Sequence, residues 1–391
     1  MTTDPNKTLR KDPVVDNFHG TRVPDPYRWL EDAESPETVA WVDEQNSNTK
    51  LFLAKYRFSS QIADRLNKLQ NYPRQFLPHF KAGYFYYWKN EGLQNQPVFY
   101  RTADLETPAT VVLDPNSMSE DGTIAVINTK LSHDGHKLVF GISRNGSDWE
   151  ELIIRDLDTG QDYDEVIQWC RYTGIAWDRD SQGFYYSRYP DPTTVPPAER
   201  NNFNRVFYHR TGSPQAQDAL IYECPENKEL LFAPIIKSDC PYLFLHVSHG
   251  TDTRNRFYYR PLESAGPFIK LLDDNDAAYD FIDVIDTVCY FRTDLGSPRG
   301  RIIAIDLKNP GRENFHEIIP ESEDVMTFAK IIHDLLVVVF THDAYNKLRI
   351  YSLDGVYQTE IEMPTLGAII EVSGEKRTVT CFSHSPPFFI P

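Results

Sequence analysis

Two periodicities divide this sequence, one helical near the N-terminus and one alternating through the rest. Ser35-Pro36-Glu37-Thr38 reads as a helix start. Ser35 can cap orphan backbone N–H groups, Pro36 suits the first helical position, and Glu37 favours the positive end of the dipole. Val39, Val42, Leu51 and Leu53 then recur near Trp41 in a loosely helical pattern to about Lys55. A second helix is predicted from Ser59 or Ser60 to about Leu69, with Ile62, Leu66 and Leu69 on one stripe. Asn71-Tyr72-Pro73 breaks the pattern. The boundary is placed there, giving a helical segment over residues 1–71 and a second domain over 72–391.

From Phe80 onward the period is two, and the segments resemble one another. Leu131-Ser-His-Asp-Gly-His-Lys-Leu-Val-Phe-Gly-Ile-Ser leads to Glu151-Leu-Ile-Ile-Arg-Asp-Leu-Asp-Thr-Gly160. Ile175-Ala-Trp-Asp-Arg-Asp-Ser-Gln-Gly-Phe-Tyr-Tyr-Ser leads in the same way to Asn204-Arg-Val-Phe-Tyr-His-Arg-Thr-Gly212. Ile235-Ile-Lys-Ser-Asp is followed by Asn255-Arg-Phe-Tyr-Tyr-Arg, and further copies start near Phe80, Ile282, Ile331 and Ile369. About seven copies spaced roughly 40 to 60 residues apart fit one four-stranded blade per repeat. The expected fold is therefore mainly β, a seven-bladed β-propeller preceded by a short α-helical N-terminal segment. A sandwich is the structural rival, but it leaves the paired "turn–Asp/Gly–strand" and "Asn/Arg–strand–Asp-Leu" units unexplained. The copy from Ile369 reaches only Pro391, so the last blade is expected to be incomplete, lacking its third and fourth strands. Unpaired strand edges are an aggregation liability, so the chain reads as part of a longer parent.

Composition adds exclusions. A formal net charge of −17 argues against binding a phosphate backbone, so no nucleic-acid partner is expected. The longest apolar run, Leu335–Phe340, has strand length, so no membrane partner is expected either. Met1–Lys11 is polar, without the apolar stretch of a secretory signal. The five cysteines (Cys170, Cys224, Cys240, Cys289, Cys381) are odd in number and show no C-x-x-C spacing. They read as small buried hydrophobes in a reducing compartment, and a cytoplasmic location is expected.

Several segments then carry a family resemblance. Asp16-Asn-Phe-His-Gly-Thr-Arg-Val-Pro-Asp-Pro-Tyr-Arg-Trp-Leu-Glu-Asp32 and Trp41-Val-Asp-Glu-Gln-Asn46 resemble the N-terminal segment of the prolyl oligopeptidase family of serine peptidases. Gly92-Leu-Gln-Asn-Gln-Pro-Val-Phe-Tyr100, Leu113-Asp-Pro-Asn116, Asp121-Gly-Thr123 and Gly146-Ser-Asp-Trp149 are more similar to its prolyl oligopeptidase branch than to its oligopeptidase B branch. The resemblance runs in order along essentially the whole chain. It implies a two-domain enzyme in which a propeller covers an α/β-hydrolase domain, excludes large folded substrates and admits short peptides for cleavage after proline. By that resemblance the helical segment packs on the hydrolase domain. With that partner absent from this chain, a mobile or loosely docked arm is expected, open to proteolysis between Gln70 and Pro78.

The chemistry for such cleavage is not legible here. An α/β-hydrolase presents its Ser in a Gly-x-Ser-x-Gly elbow, and the sequence contains none. The nearest look-alike, Gly141-Ile-Ser-Arg-Asn-Gly146, has Asn145 in place of the second Gly and reads as a hairpin turn. No catalytic residue is therefore assigned, and the chain is expected to be inactive alone. His133/His136 and His246/His249 lack a carboxylate motif, and Asp273-Asp274-Asn275-Asp276 lacks EF-hand spacing, so neither metal nor cofactor is expected. The resemblance places three substrate-binding residues at the pocket edge: Tyr172, aligned through Ala176-Trp177, with Leu231 and Thr251, aligned through Asn255-Arg256. The family commonly has Cys where Thr251 stands and Arg where Ser248 stands, and plain blade packing is the competing role for all of them. Two alternatives stay open: a stand-alone propeller serving as a binding or scaffold module, and a propeller pairing in trans with a hydrolase domain.

Overall fold

The computed structural model describes residues 9–33, 35–237, 239–363, 365–374 and 382–384. They fall into two compact units that divide after Tyr72.

In the first unit the charged motif near the N-terminus makes a hairpin. Strands Val15–Phe18 and Thr21–Pro24 pair antiparallel across His19 and Gly20, which both take positive φ (52° and 91°), as a tight primed turn requires. Arg28 bridges the two ends of this hairpin, pairing with Asp16 and donating from Nε to Asp25 at 2.8 Å. Helix α1 spans Pro36–Leu53, and the Ser35 hydroxyl accepts from the Thr38 amide at 3.2 Å, with Pro36 in the first turn. Helix α2 spans Ser59–Gln70. Its stripe Ile62, Leu66 and Leu69 is more than half exposed.

The second unit is a propeller of antiparallel blades. In the first blade, two short inner strands, Arg74–Gln75 and His79–Lys81, pair with Tyr84–Asn90, followed by Val98–Thr102 and Thr110–Leu113. Each of the next five has four strands in sequence order. They begin with the inner strands Ile124–Leu131, Ile175–Trp177, Leu230–Ile235, Tyr279–Ile285 and Val325–Ile332. Apolar residues of neighbouring blades interdigitate between their faces. The first and second blades share Tyr86, Phe99, Leu138 and Phe140, and the second and third share Leu152, Ile154, Trp177 and Phe184. The fourth and fifth share Phe244, Phe257, Cys289 and Phe291, with Phe244 and Phe257 stacked at 5.4 Å and lying 5.1 and 4.8 Å from the Phe281 ring. Alternation in the sequence thus becomes burial because each blade supplies the wall its neighbour needs.

The seven-bladed expectation is corrected: the described residues form six blades. The segment read as the seventh copy gives a two-stranded sheet, Glu371–Ser373 paired with Phe382–His384. The reason lies in where its apolar residues go. Ile369 and Val372 pack into the core of the sixth blade, with Ile332, Val337, Val339 and Leu348. Ser373 then donates from Oγ to the carbonyl of Pro78 at 2.7 Å, and His79 lies 3.2 Å from Glu371, so the same segment joins the first blade's inner strand. Its repeat-like pattern therefore serves existing blades instead of building a new one. Cys381 and residues 385–391 lie outside the described residues.

Candidate functional site

Antiparallel order fixes which loops can meet. The start of a blade's first strand, the hairpin between its second and third strands and the end of its fourth all open on one rim. On that rim four chain segments from the second, third and fourth blades enclose a pocket of about 300 Å³. Arg171 and Tyr172 come from the connection between the second and third blades. Tyr189, Asn201 and Asn202 come from the long hairpin of the third blade, Glu229 and Leu231 from the start of the fourth, and His249 and Gly250 from its hairpin.

Tyr172 is held outward by a strained turn. Its φ is +49°, unusual for a bulky side chain, and the residue is 68% exposed. The residues around it are tightly bonded. Arg171 donates its amide to Thr173 Oγ1 at 3.0 Å, the Thr173 amide donates to Glu150 Oε1 at 3.0 Å, and the Thr173 hydroxyl donates to the Ser187 carbonyl at 3.0 Å. Asn128 Nδ2 donates to the Thr173 carbonyl at 2.9 Å. Glu150 is buried, and burial pushes its carboxyl above the usual range against the lowering effect of the Thr173 bonds. Gly174 completes the turn. A Cβ there would lie 2.7 Å from Ala233 Cα, so only glycine lets this connection lie against Leu230–Ile235, the strand that carries Leu231.

The electrostatics centre on Arg171. Its guanidinium donates to Asp148 at 2.6 Å and to Asn201, and lies 5.2 Å and 5.9 Å from the Tyr172 and Trp149 ring centres. Burial works against its charge, but hydrogen bonds to Tyr172 and Asp148 outweigh that and raise its pKa. Trp149 in turn meets Tyr189 edge-on at 5.8 Å, and burial pushes the Tyr189 phenol up to about 12, so it stays a neutral donor. Glu229 pairs with His249 at 2.9 Å on the far wall. The result is an aromatic and aliphatic surface with a fixed cation and two amide side chains, a surface suited to a peptide.

The three sequence-predicted residues are distributed unevenly. Tyr172 and Leu231 line the same pocket, although 59 positions separate their numbers in the chain. Thr251 is exposed in the turn one residue beyond Gly250. Ser248 lies opposite Leu231 in the strand pairing. Arg171, Trp149 and Tyr189 were not singled out from the sequence. The one signal for Arg171 and Trp149 was their position beside Tyr172 and within the Gly146–Trp149 motif.

The remaining candidates fall elsewhere. Gly141 and Ser143 lie in the strand Lys137–Arg144, and Asn145-Gly146 forms a turn with φ of +54° and +69°. Ser143 donates to the Ser147 carbonyl. His133 contacts the Trp177 carbonyl at 3.3 Å, whereas His136 pairs with Asp158 at 2.7 Å. Asp274 and Asp276 both bind Arg312, at 2.8 and 2.7 Å. Among the described residues no group of three or more His, Cys, Asp or Glu is arranged to hold a metal.

Comparison with known proteins agrees with this architecture. Residues 6–391 match the family described as prolyl oligopeptidase, N-terminal beta-propeller domain. A prolyl endopeptidase of Elizabethkingia miricola is 30% identical over 363 residues, covering 93% of this chain and 51% of the relative. Prolyl oligopeptidase A of Galerina marginata is 28% identical, covering 95% of this chain and 54% of the relative. A solved prolyl endopeptidase structure superposes with a TM-score of 0.85 at 28% identity, over 94% of this chain and 54% of that one. Prolyl oligopeptidase B of Galerina marginata shares the fold, with a TM-score of 0.83 at 24% identity over 96% of this chain and 56% of that one. The chain thus spans about half the length of the curated relatives it matches.

Proposed function

The chain belongs to the prolyl oligopeptidase family, as its N-terminal β-propeller part, and on that premise we propose that it gates and contacts peptide substrates for hydrolysis performed by a separate α/β-hydrolase domain. The carrying observation is the rim pocket that brings Tyr172 and Leu231 together beside an exposed Thr251. An exposed tyrosine ring and a leucine offer apolar surface to a prolyl ring, while Arg171, Asn201 and Asn202 offer polar groups to peptide carbonyls and amides. On this reading short proline-containing peptides are the substrates, cut after proline, and folded proteins are too wide to reach the chemistry.

Acyl transfer needs a nucleophile, a base and an oxyanion hole. The reading assigns none of the three to this chain, whose sequence has no Gly-x-Ser-x-Gly elbow. It does assign a partner-facing role to the arm. Helix α2 leaves Ile62, Leu66 and Leu69 exposed, and an apolar stripe of that kind favours docking on a hydrolase domain over a free-standing scaffold. Cys170 and Cys289 are buried free thiols, which suits the reducing, cytoplasmic setting we propose.

Peptide binding tests the pocket. A labelled proline-containing peptide should bind this chain, and Tyr172→Ala or Leu231→Ala should weaken binding by about tenfold, as loss of one buried apolar contact does. Unchanged affinity in both variants would remove the assignment.

A further inference from the structure

The rim that carries Tyr172 holds a second recess. A groove of about 410 Å³ lies between the first and second blades and draws on the same kinds of segment. Phe76 precedes the inner strand His79–Lys81, and Pro97 sits in the first blade's hairpin between Tyr84–Asn90 and Val98–Thr102. Pro115 follows that blade's last strand, and Ile127 and Asn128 come from the second blade's inner strand, Ile124–Leu131.

Local geometry shapes this groove. In the strand register Val126 faces Ile142 and Asn128 faces Gly141, so Ile127 is the extra residue of a β-bulge. A bulge re-aims its side chain, and Ile127 lines the groove while 51% exposed, with Phe76 at 48%. The remaining wall is stiff. Trp88 stacks on Phe99 at 4.7 Å and packs with Val126 on the core shared by the first two blades. Gln96 pins the hairpin to the second blade: its Nε2 donates to the Ile124 carbonyl at 2.6 Å, and its Oε1 accepts from the Val126 amide at 3.0 Å. Asn116 holds the Gln96 backbone through its amide and carbonyl, at 3.0 and 2.9 Å. The Gln96 side chain is thus engaged within the protein, and the recess presents aromatic, prolyl and aliphatic faces. Such a preformed recess loses little freedom when it is filled.

One residue joins the groove to the Tyr172 pocket. Asn128 lines the groove, and its Nδ2 donates at 2.9 Å to the carbonyl of Thr173, the residue after Tyr172. The peptide surface at Tyr172 therefore continues across the second blade's inner strand into an apolar recess. A proline-rich segment presents flat rings along an already stiff backbone, which is the form that aromatic-lined grooves take up.

We propose that this groove is a second peptide subsite, one that takes an apolar, proline-rich stretch flanking the residue held at Tyr172. The proposal rests on the peptide-contact reading of the Tyr172 pocket and goes beyond it by naming the composition recognised outside that residue.

The test uses the full 391-residue chain and a labelled, proline-containing core peptide. The core is lengthened at either end by a short stretch of proline and leucine, or by one of glycine and serine. In fluorescence anisotropy the proline–leucine stretch at one end should tighten binding about tenfold, because the second contact forms within the same complex, and the glycine–serine stretch should not. That comparison needs no substitution. A Phe76→Ser/Ile127→Ser pair should bring the extended peptide back to the affinity of the core, with melting curves recorded to verify folding. Val356→Ser, in an exposed turn of the sixth blade, should keep the gain. No gain from the proline–leucine stretch at either end, or a gain that survives the paired substitution, would overturn the proposal. Failure of the Tyr172 reading looks different: the core peptide would then ignore Tyr172→Ala while the gain still depended on Phe76 and Ile127.

Discussion

Helix α2 and the fourth-blade strand Tyr242–His249 show two fates for apolar side chains in one chain. The strand buries Leu243, Phe244, Leu245 and Val247 completely, because the blades on either side supply the layers it needs, the fifth against Phe244 and the third against Leu245 and Val247. The helix, built on an equally clear period, leaves Ile62, Leu66 and Leu69 exposed at 58%, 53% and 51%. Periodicity tells which side of an element is apolar. It does not tell which surface covers that side. In the blades a neighbouring blade does, and in the arm we propose that a hydrolase domain does.

Substitutions can break or sharpen this contrast. The largest effect is expected at Phe244, fully buried and packed on Phe257 and Phe281. Phe244→Ala should cost about 3–5 kcal/mol in denaturant unfolding, and a loss below about 1 kcal/mol would mean the blade interface is not the source of stability. A smaller loss, about 1 kcal/mol, is expected for Arg171→Ala, which removes partly exposed bonds to Asp148 and Asn201 and the contact with the Tyr172 ring. Weaker peptide binding should accompany it.

Glu150 gives a pH-dependent test beneath the same loop. Burial raises its carboxyl above the ordinary glutamate value. Its contribution to stability is therefore full below that ordinary value and is lost as pH rises through the raised one. Glu150→Gln keeps an acceptor for the Thr173 amide and has no proton to lose. The variant should gain on the wild-type melting temperature as pH rises, and a constant difference across pH would refute the assignment. The smallest effect is expected at Leu66→Ala, within about 0.5 kcal/mol in this chain, since the side chain is already exposed.

What the sequence made legible follows the same division. The helix start at Ser35-Pro36 and the strand alternation of the blades are local signals, and both elements form where those signals lie. The number of blades is not local. The segment from Ile369 resembles the start of another copy, yet Ile369 and Val372 pack into the sixth blade's core, and a pattern cannot say which core a residue enters. The hairpin Val15–Pro24 escaped notice because its residues face solvent on both sides, and its stability comes from the His19-Gly20 turn and the Arg28 bridge. The pocket shows the limit most clearly. Tyr172 and Leu231 came from family resemblance, but Arg171 reaches the site on one loop and Tyr189 and Asn201 on another of the same rim. Only the topology, with Gly174 allowing close approach to Ala233, brings them together.

The central claim is that this chain contacts and gates peptides without carrying the hydrolytic groups. The most direct measurement is turnover of a proline-containing chromogenic peptide by the purified chain, with and without a serine-reactive inhibitor. The account predicts no release above the blank in either arm. Sustained release that the inhibitor abolishes would contradict it.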